Sequence, residues 1–488
     1  MFTIIIEKEL RSILSGPKFA VTFAVCTILI LLSVFLGIRE YRATVKSFRA
    51  ANQLTAQEME ETRSWMTFST RVYREPEPMQ VFVSGLHNDI GRFSNIHSTE
   101  TIKLTNSIYA DDPIFAVFRF IDFSVIVQII LSLFAVMFTY DVINGEREAG
   151  TLKLAFSNAI PRFQYILAKF LGSWLGLVLP ILIPILLSLL FVIIFKVPFS
   201  GDDWAKLMML MGVSLLYFTF FIVLGILFSA LTKRSAISFL LLLVVWVIFV
   251  LIVPRVGVMA AGKIIPVSSV AEIDGQIDGY SKSRWDKFIK EMEERYRKRN
   301  ADMEGMAEEE KEAYRDDHLW AWMEEEDAAR RAVQIDIDNF SRLLLEDLRN
   351  RKAVQERLAF TLSRFSPASA YQLTAMNLAE TDIYVKSRYE TSLEQYKNTV
   401  VEYALKKQKE SGQRGGIRVT VSSDEGMKLD LGKGDGTLDT SDMPRFKEIK
   451  QSFAEVITTS IIDFALLVFY CIAALVGAFA AFLRYDVR

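Results

Sequence analysis

Residues Tyr140 to Gly172 read YDVINGEREAGTLKLAFSNAIPRFQYILAKFLG, and they lie between two long apolar runs that carry no charged side chain. The segment is polar and amphipathic, and Glu146, Arg147 and Glu148 supply both signs of charge. A polar segment that is held at a membrane surface by a span on either side is suited to receive force from a soluble partner. The sequence therefore predicts that a cytoplasmic motor acts on this segment.

The composition indicates a membrane protein. The chain has 488 residues, 51% of them hydrophobic, and a net charge of −2, and none of these values indicates a nucleic-acid partner, so none is predicted. A bilayer is crossed by about 18 to 20 apolar helical residues. Six uncharged runs approach or exceed that length, and they predict an all-α membrane protein with six transmembrane helices: Phe19–Ile38, Phe123–Tyr140, Phe170–Phe195, Leu207–Thr232, Ser235–Pro254 and Phe464–Leu483. We interpret the first run as a retained anchor, because it is longer than a signal-peptide core of about 7–15 residues.

The basic residues of the short loops set the predicted orientation, because Lys and Arg are retained on the cytoplasmic side. They place both termini in the cytoplasm and two long segments outside it. The predicted parts are 1–38 (interfacial helix and first span), 39–119 (first extracytoplasmic segment), 120–254 (spans two to five, with a cytoplasmic coupling loop at 140–169), 255–460 (large helical extracytoplasmic domain) and 461–488 (sixth span and cytoplasmic tail).

Cysteine usage bears on the compartment. The chain has two cysteines, Cys26 and Cys471, and both fall inside predicted spans. The outer domain therefore has no disulfide and must be held by its own packing. A large outer domain without disulfides favours a bacterial periplasm, so we predict a multi-pass protein of the bacterial inner membrane.

The predicted outer domain is mostly helical. Dense mixed charge with apolar residues at helical intervals extends from Tyr280 to about Arg364, which is typical of long solvated helices. Ser366-Pro367-Ala368 should interrupt the helix, because proline removes a backbone donor. Residues 411–444 read as a loop with a short hairpin strand at Ile417–Ser422. The aspartates of this loop do not match the spacing of a calcium loop, so turn formation is the better interpretation.

The catalytic inventory predicts no enzyme. The three histidines, His87, His97 and His318, lack metal-site spacing, and no cofactor or metal site is expected. Gly432-Lys433-Gly434 is not embedded in a phosphate-binding loop. The central parts of the spans also lack ionisable residues, which ion-coupled carriers usually need. Energy is therefore expected from a separate ATPase, which would bind ATP and Mg²⁺.

Two features have alternative interpretations. Residues 1–14 place apolar side chains at helical spacing, which fits either a helix in the lipid interface or an ordinary charged leader to the first span. Pro180 and Pro184 stand four residues apart in the third span. They predict either a hinge, because proline frees backbone carbonyls and kinks a helix, or static packing.

The membrane portion resembles the permease subunits of ABC-2 type transporters. The stretch D-x-I-x-G-E-R-E-x-G-T-L-K-L-x-x-S-x-x-x-x-R-x-x-Y-I-L-x-K-F-L-G carries the resemblance through Asp141, Ile143, Gly145, Glu146, Arg147, Glu148, Gly150, Thr151, Leu152, Ser157, Arg162, Lys169 and Gly172. The long insertion between the fifth and sixth spans resembles a subgroup related to permeases of nitrous oxide reductase maturation. The resemblance implies a coupling helix in the inner loop, a dimer of cytoplasmic ABC ATPases as partner, and a second permease, either the same chain or a related one.

The resemblance makes Asp141, Gly145, Glu146, Arg147, Glu148, Gly150, Thr151 and Arg162 the candidate ATPase-coupling residues. The residue chemistry agrees, since mixed charge orients a partner surface, Gly150 permits a tight turn, and Thr151 is suited to cap the following helix. The alternative is that these residues only end the second span and solvate a loop.

Three functions fit the sequence. The first is a permease subunit that couples ATP hydrolysis by a separate ATPase to export. The second is a mechanotransmission subunit that passes ATPase motion through the outer helices to a periplasmic protein, without a molecule crossing. The third is a membrane-anchored enzyme or sensor, which the lack of a catalytic constellation disfavours. Membrane lipid is a partner in each case.

Overall fold

The computed structural model describes residues 2–60, 69–86, 93–97, 104–105, 122–157, 160–410, 418–422, 426–430 and 442–484. Six of the described helices are long and apolar enough to cross a membrane: Pro17–Met59, Phe123–Glu148, Arg162–Ile194, Gly201–Leu231, Ser235–Ile264 and Phe453–Leu483. Each apolar run of the sequence falls on one of them. The all-α, six-span architecture is therefore confirmed. His87, Gly432-Lys433-Gly434, Asp435 and Asp439 lie outside the described residues.

The N-terminal half alternates helices with a small sheet. Its elements are α1 (Phe2–Leu14), α2 (Pro17–Glu60), β1 (Ser69–Tyr73), β2 (Phe93–His97), β3 (Leu104–Thr105), α3 (Phe123–Val125), a π-helical segment (Ile126–Leu131), α4 (Ser132–Thr139), α5 (Asn144–Glu148), α6 (Thr151–Ser157), α7 (Arg162–Ile194) and α8 (Gly201–Leu231). Ser15 and Gly16 separate α1 from α2, and Pro17 is the first residue of α2, a position where its missing N–H is not needed. The helix of the first span continues well past Ile38, because the residues that follow include no glycine or proline before it ends.

The C-terminal half is more helical still. It comprises α9 (Ser235–Trp246), a second π-helical segment (Val247–Ile252), α10 (Val253–Ile264), α11 (Val270–Asp302), α12 (Glu308–Ser363), α13 (Pro367–Leu378), α14 (Tyr384–Glu410), β4 (Arg418–Ser422), β5 (Gly426–Asp430) and α15 (Phe453–Leu483). The hairpin predicted at Ile417–Ser422 is observed from Arg418, where β4 pairs with β5 in antiparallel orientation, and Ile417 lies outside the described residues. In the N-terminal half, β2 lies between β1 and β3, and both pairings are antiparallel.

The chain divides into two compact units. One unit comprises residues 256–362, and the other comprises 1–255 together with 363–488. Within the smaller unit, α11 and α12 form an antiparallel hairpin whose apolar core contains Phe288, Val333 and Ile337. Arg295 binds Glu326 across the pair with a nitrogen-to-oxygen distance of 2.8 Å. The long solvated helices predicted from the mixed-charge sequence are therefore observed as α11 and α12, which pack side by side.

The larger unit contains five of the candidate spans in full, the fifth span as far as Arg255, and the segment from Ser363 onwards. Helix α13 packs against α8 and α15, and its side chains are buried on all sides. The break at Ser366-Pro367-Ala368 is observed as predicted, and Ser366 caps α13 by accepting from the backbone N–H of Ala368 at 3.0 Å. The grouping places residues 363–378 with the spans, because their small and weakly polar side chains fit between the larger helices.

Candidate coupling site

Glu146 on α5 lies at the centre of a polar cluster that joins three helices. Its carboxylate accepts a hydrogen bond from Nζ of Lys169 at 2.7 Å and from the hydroxyl of Tyr165 at 2.5 Å, both on α7. Lys8 on α1 donates to the same carboxylate. Lys169 also binds Glu9 of α1, and its side chain is only 1% exposed. This Glu146 cluster fixes the start of the predicted coupling segment to α1 and α7.

Two glycines allow α1 to approach α7 closely enough for the cluster to form. A Cβ atom on Gly172 would lie 2.6 Å from Cβ of Glu9, and one on Gly176 would lie 3.1 Å from Cδ1 of Ile13. Small residues four apart are a common means of bringing membrane helices together. The resemblance motif ends at Gly172, and the structure gives a steric reason for glycine there.

Asn144 fixes α5 to α8. It is fully buried, and its amide Nδ2 donates to Oγ1 of Thr232 at 3.0 Å. Oγ of Ser229 accepts from the backbone N–H of Ile143 at 2.9 Å. A buried amide with its donors and acceptors satisfied gives a specific geometry, so the end of the second span is locked against the end of α8.

Glu148 joins α5 to α9. The first residues of α9 have no side-chain cap of their own, and Glu148 accepts from the backbone N–H of Ser235 at 2.8 Å and from its hydroxyl at 2.9 Å. A carboxylate at a helix N-terminus satisfies an otherwise unpaired donor and interacts favourably with the helix dipole. Glu148 therefore acts as an external cap on α9.

The exposed part of the segment lies beyond these contacts. Gly150 has a positive φ of 75°, so it supplies the tight turn that the sequence predicted. Thr151 is the first residue of α6, and its hydroxyl donates to the carbonyl of Glu146 at 3.2 Å, so it links α6 to α5. Leu152 is buried, whereas Leu154 is 68% exposed. The turn and α6 therefore present a small apolar surface.

The other predicted site residues occupy mixed positions. Asp141 and Gly145 are linked by a backbone hydrogen bond of 2.9 Å at the start of α5, and Arg147 lies half-buried on that helix. Arg162 begins α7 and donates to the carbonyl of Leu483 at the end of α15, where a cation is favourable. The predicted residues of 141–151 thus lie together, and Arg162 lies against a different helix end.

The two prolines of the predicted hinge lie inside α7, which continues through both of them. Pro184 is buried and Pro180 is half-buried. Neither has an N–H to donate to the preceding turn, so two carbonyls lack their usual partner. The hinge remains a prediction.

Sequence reasoning did not assign the partners of Glu146. Lys169 is the last residue of the predicted coupling loop and Glu9 lies in the predicted N-terminal helix, but neither pattern links them to Glu146. One signal was available, since a lysine flanked by Ala168 and Phe170 at the start of an apolar run needs an acidic partner if it is buried. Tyr165 and Lys169 are also four residues apart and thus share a helix face.

Comparison with known proteins agrees with this architecture. A search of curated proteins gives no match to the chain. The family model described as ABC-2 family transporter protein matches residues 3–487, which is nearly the whole chain. The match includes the six apolar helices, the Glu146 cluster and the long segment between the fifth and sixth spans. The chain therefore belongs to the ABC-2 family of transporter proteins.

Proposed function

We propose that this chain is a permease subunit whose α5 and α6 receive the motion of a separate cytoplasmic ABC ATPase. A dimer of that ATPase and a second permease, either the same chain or a related one, complete the complex. ATP and Mg²⁺ bind to the ATPase. Both termini and the Gly150 turn then face the cytoplasm of the bacterial inner membrane, and residues 39–119 and 255–460 lie outside it.

The observation that carries the proposal is the contrast between an exposed tip and a clamped base. Leu154 and the Gly150 turn are exposed, as a docking surface requires. The base is held by hydrogen bonds and ion pairs to α1, α7, α8 and α9. A displacement of the exposed tip is therefore transmitted to these four helices, because the base of the segment is bonded to each of them.

The structure sharpens the choice of residues for the test. Glu146 is turned into the protein, so charge reversal there would disrupt the Glu146 cluster as well as any docking. Leu154 is a better probe, because its side chain is exposed and carries neither charge nor a polar atom. We expect Leu154→Asp to weaken association with the ATPase by at least about 30-fold, the effect of losing one central apolar contact of an interface.

Co-purification of the ATPase with the full-length chain measures this effect. Leu343→Asp is the matched control, because Leu343 is 66% exposed and lies on α12, in the segment expected outside the cytoplasm. The ATPase should be lost from Leu154→Asp and retained by Leu343→Asp, with equal yields of the two variants. Retention of the ATPase by both variants, with unchanged hydrolysis, would refute docking on α6.

Force transmission to a periplasmic protein is the second candidate function. The shortness of the connection between α12 and α13 favours this function, since the connection consists only of Arg364, Phe365 and Ser366. The rings of Tyr280 and Phe340 stack 4.0 Å apart, so residues 281–339 can be replaced by a short linker. Loss of a cross-linked periplasmic partner with ATPase activity intact would support force transmission, whereas intact export without the hairpin would support transport.

A further inference from the structure

The start of α13 is hydrogen-bonded to the fifth span beside a proline. Pro254 follows the π-helical segment Val247–Ile252 and has no N–H. The five-residue spacing of that segment would pair residue 254 with the carbonyl of Phe249. The hydroxyl of Ser366, the N-cap of α13, donates to that carbonyl. Ser366 therefore substitutes for one hydrogen bond that the proline cannot make, and the nearby hydroxyl of Ser363 donates to the carbonyl of Pro254 at 3.3 Å.

The body of α13 buries apolar side chains, and it also makes polar and aromatic contacts with the spans. Nε2 of Gln128, in the other π-helical segment, donates to the carbonyl of Ala368 at 3.4 Å. Tyr371 stacks on Tyr217 of α8 with ring centroids 4.7 Å apart, and its hydroxyl lies 3.1 Å from Oγ of Ser214. Surfaces that carry polar groups can be rehydrated on separation, so this contact is separable at lower cost than an apolar one.

The packing of α13 also leaves polar atoms unsatisfied. Among the described residues, Oγ of Ser369 and Oδ1 of Asn377 are buried and have no hydrogen-bond partner. A buried polar atom without a partner is unfavourable. It lowers the stability of the docked position relative to one in which these atoms meet water.

At the end of α13, Glu380 adopts a backbone conformation that is unfavourable for a residue other than glycine. The N–H of Glu380 bonds the carbonyl of Asn377 at 3.1 Å, and the N–H of Thr381 bonds that of Met376 at 2.9 Å. This is a Schellman motif, in which glycine usually occupies the left-handed position. Here that position is held by Glu380 with φ of 53°. Its carboxylate binds Lys206 of α8, and the two side chains are 11% and 6% exposed. Strain of this kind is typical of functional positions.

From these contacts we propose that α13 is a latch helix, held on α8 by the Lys206–Glu380 ion pair, that leaves its site between α8 and α15 during the ATPase cycle. The proposal rests on the proposed function, because it takes the ATPase as the source of motion. When the ion pair opens, α13 carries its polar face into water and the turn at Glu380 relaxes. The spans then lose the helix that fills the space between α8 and α15.

The rate of thiol labelling at a buried position on α13 measures the release of the helix. In the full chain with Cys26 and Cys471 replaced by alanine, Ser369→Cys introduces a thiol that a maleimide reaches only if α13 moves. Ser238→Cys on α9 is the matched control, because Ser238 is also buried and its hydroxyl also has no partner. We expect slow labelling of Cys at 369 without nucleotide, labelling at least about tenfold faster during ATP turnover, and unchanged labelling at 238.

Variants at Glu380 and Lys206 separate a latch from a structural ion pair. Glu380→Gly and Glu380→Gln should both give labelling at 369 at least about tenfold faster without nucleotide, but each leaves Lys206 buried without a partner, so a merely structural ion pair would give the same result. The exchange of both charges, Lys206→Glu with Glu380→Lys, should restore protection. Lys206→Met with Glu380→Gln leaves no unpaired buried charge and separates the two roles: a latch still labels at least about tenfold faster, whereas a merely structural pair labels near the native rate.

Each outcome decides the proposal. Unchanged labelling at 369 in the Glu380 variants, or equal acceleration at 369 and 238, overturns the latch. The labelling measured without nucleotide needs no ATPase. Loss of ATPase co-purification would therefore refute the proposed function, and the labelling would still test the latch independently. A disulfide between Asn377→Cys and Ser460→Cys, whose native side chains lie 3.0 Å apart, should abolish the acceleration by ATP. Full ATP-driven labelling with that disulfide closed would also overturn the latch.

Discussion

Replacement of Lys169 by methionine is the most direct perturbation of the Glu146 cluster. The side chain of Lys169 is 1% exposed and lies between the carboxylates of Glu9 and Glu146, which are 9% and 12% exposed. Methionine keeps the length of the side chain and removes its charge. The variant therefore leaves two buried like charges facing one another without the cation that holds them together.

The size of the effect follows from burial. Removal of one partner from a buried ion pair typically costs about 3–5 kcal/mol, because the remaining charge is uncompensated. Lys8 binds the same carboxylate, but its side chain is 56% exposed, and an exposed pair contributes about 0–1 kcal/mol. At about 1.4 kcal/mol per factor of ten, Lys169→Met should open the contact of α1 with α7 at least about 100-fold more often, and Lys8→Met at most about fivefold more often.

Tryptic cleavage after Arg11 measures this opening, because the bond lies within α1 and is cut only when the helix locally unfolds. The rate in detergent micelles should rise at least about 100-fold for Lys169→Met. The triple variant Glu9→Gln, Glu146→Gln, Lys169→Met removes all three charges and should return within about tenfold of the native rate. A cleavage rate for Lys169→Met no greater than that for Lys8→Met would refute the idea that the Glu146 cluster holds α1.

Two further substitutions test packing and pH dependence. Gly172→Ala should loosen α1 and lower the unfolding temperature, because its Cβ would lie 2.6 Å from Cβ of Glu9, whereas Gly212→Ala, with nothing within 4 Å, should be neutral or slightly stabilising; equal unfolding temperatures would contradict the steric argument. Burial raises the pKa of Glu77, against the opposing effect of Lys450, so its contribution to stability is fully present below the unfolded pKa of about 4 and is lost as pH rises through the folded value. Thermal unfolding of detergent-solubilised protein between pH 4 and 7.5 should therefore show a smaller fall in stability with rising pH for Glu77→Gln than for the native chain, and identical slopes would exclude Glu77 as the cause.

The parts of the fold that the sequence predicted follow from local rules. An apolar run in lipid must satisfy its backbone within itself, so each run of sufficient length predicts a helix, and all six are present. Glycine readily adopts the positive φ of a tight turn, so Gly150 indicated a turn. Ser366-Pro367 indicated a helix boundary, which capping by the serine and the missing backbone N–H of the proline explain. These features depend on neighbours within a few residues.

The parts that the sequence did not predict depend on distant partners. Nothing in the residues around Glu146 indicates whether its carboxylate faces a partner protein or Lys169, since both surfaces favour mixed charge. Helix α13 is too short and too weakly apolar to stand out as a buried element. Its partners include Gln128, which is 240 positions away from Ala368. Only the assembled spans show that these polar atoms meet.

Helix α8 is the element that relates the coupling site to the latch helix. Near its end, Ser229 and the adjacent Thr232 bind α5. Near its start, Lys206 binds the turn that follows α13, and at its middle Tyr217 stacks on α13. At 31 residues α8 is about 46 Å long. It has no internal proline, unlike α7, so a displacement imposed at one end is passed along it without a kink. Under the two proposals, coupling through this helix is reciprocal: the free energy by which a docked ATPase would favour release of α13 equals the free energy by which a locked α13 would disfavour that state of the ATPase. The latch and the coupling site are then two ends of one equilibrium, and a substitution that biases either end is felt at the other.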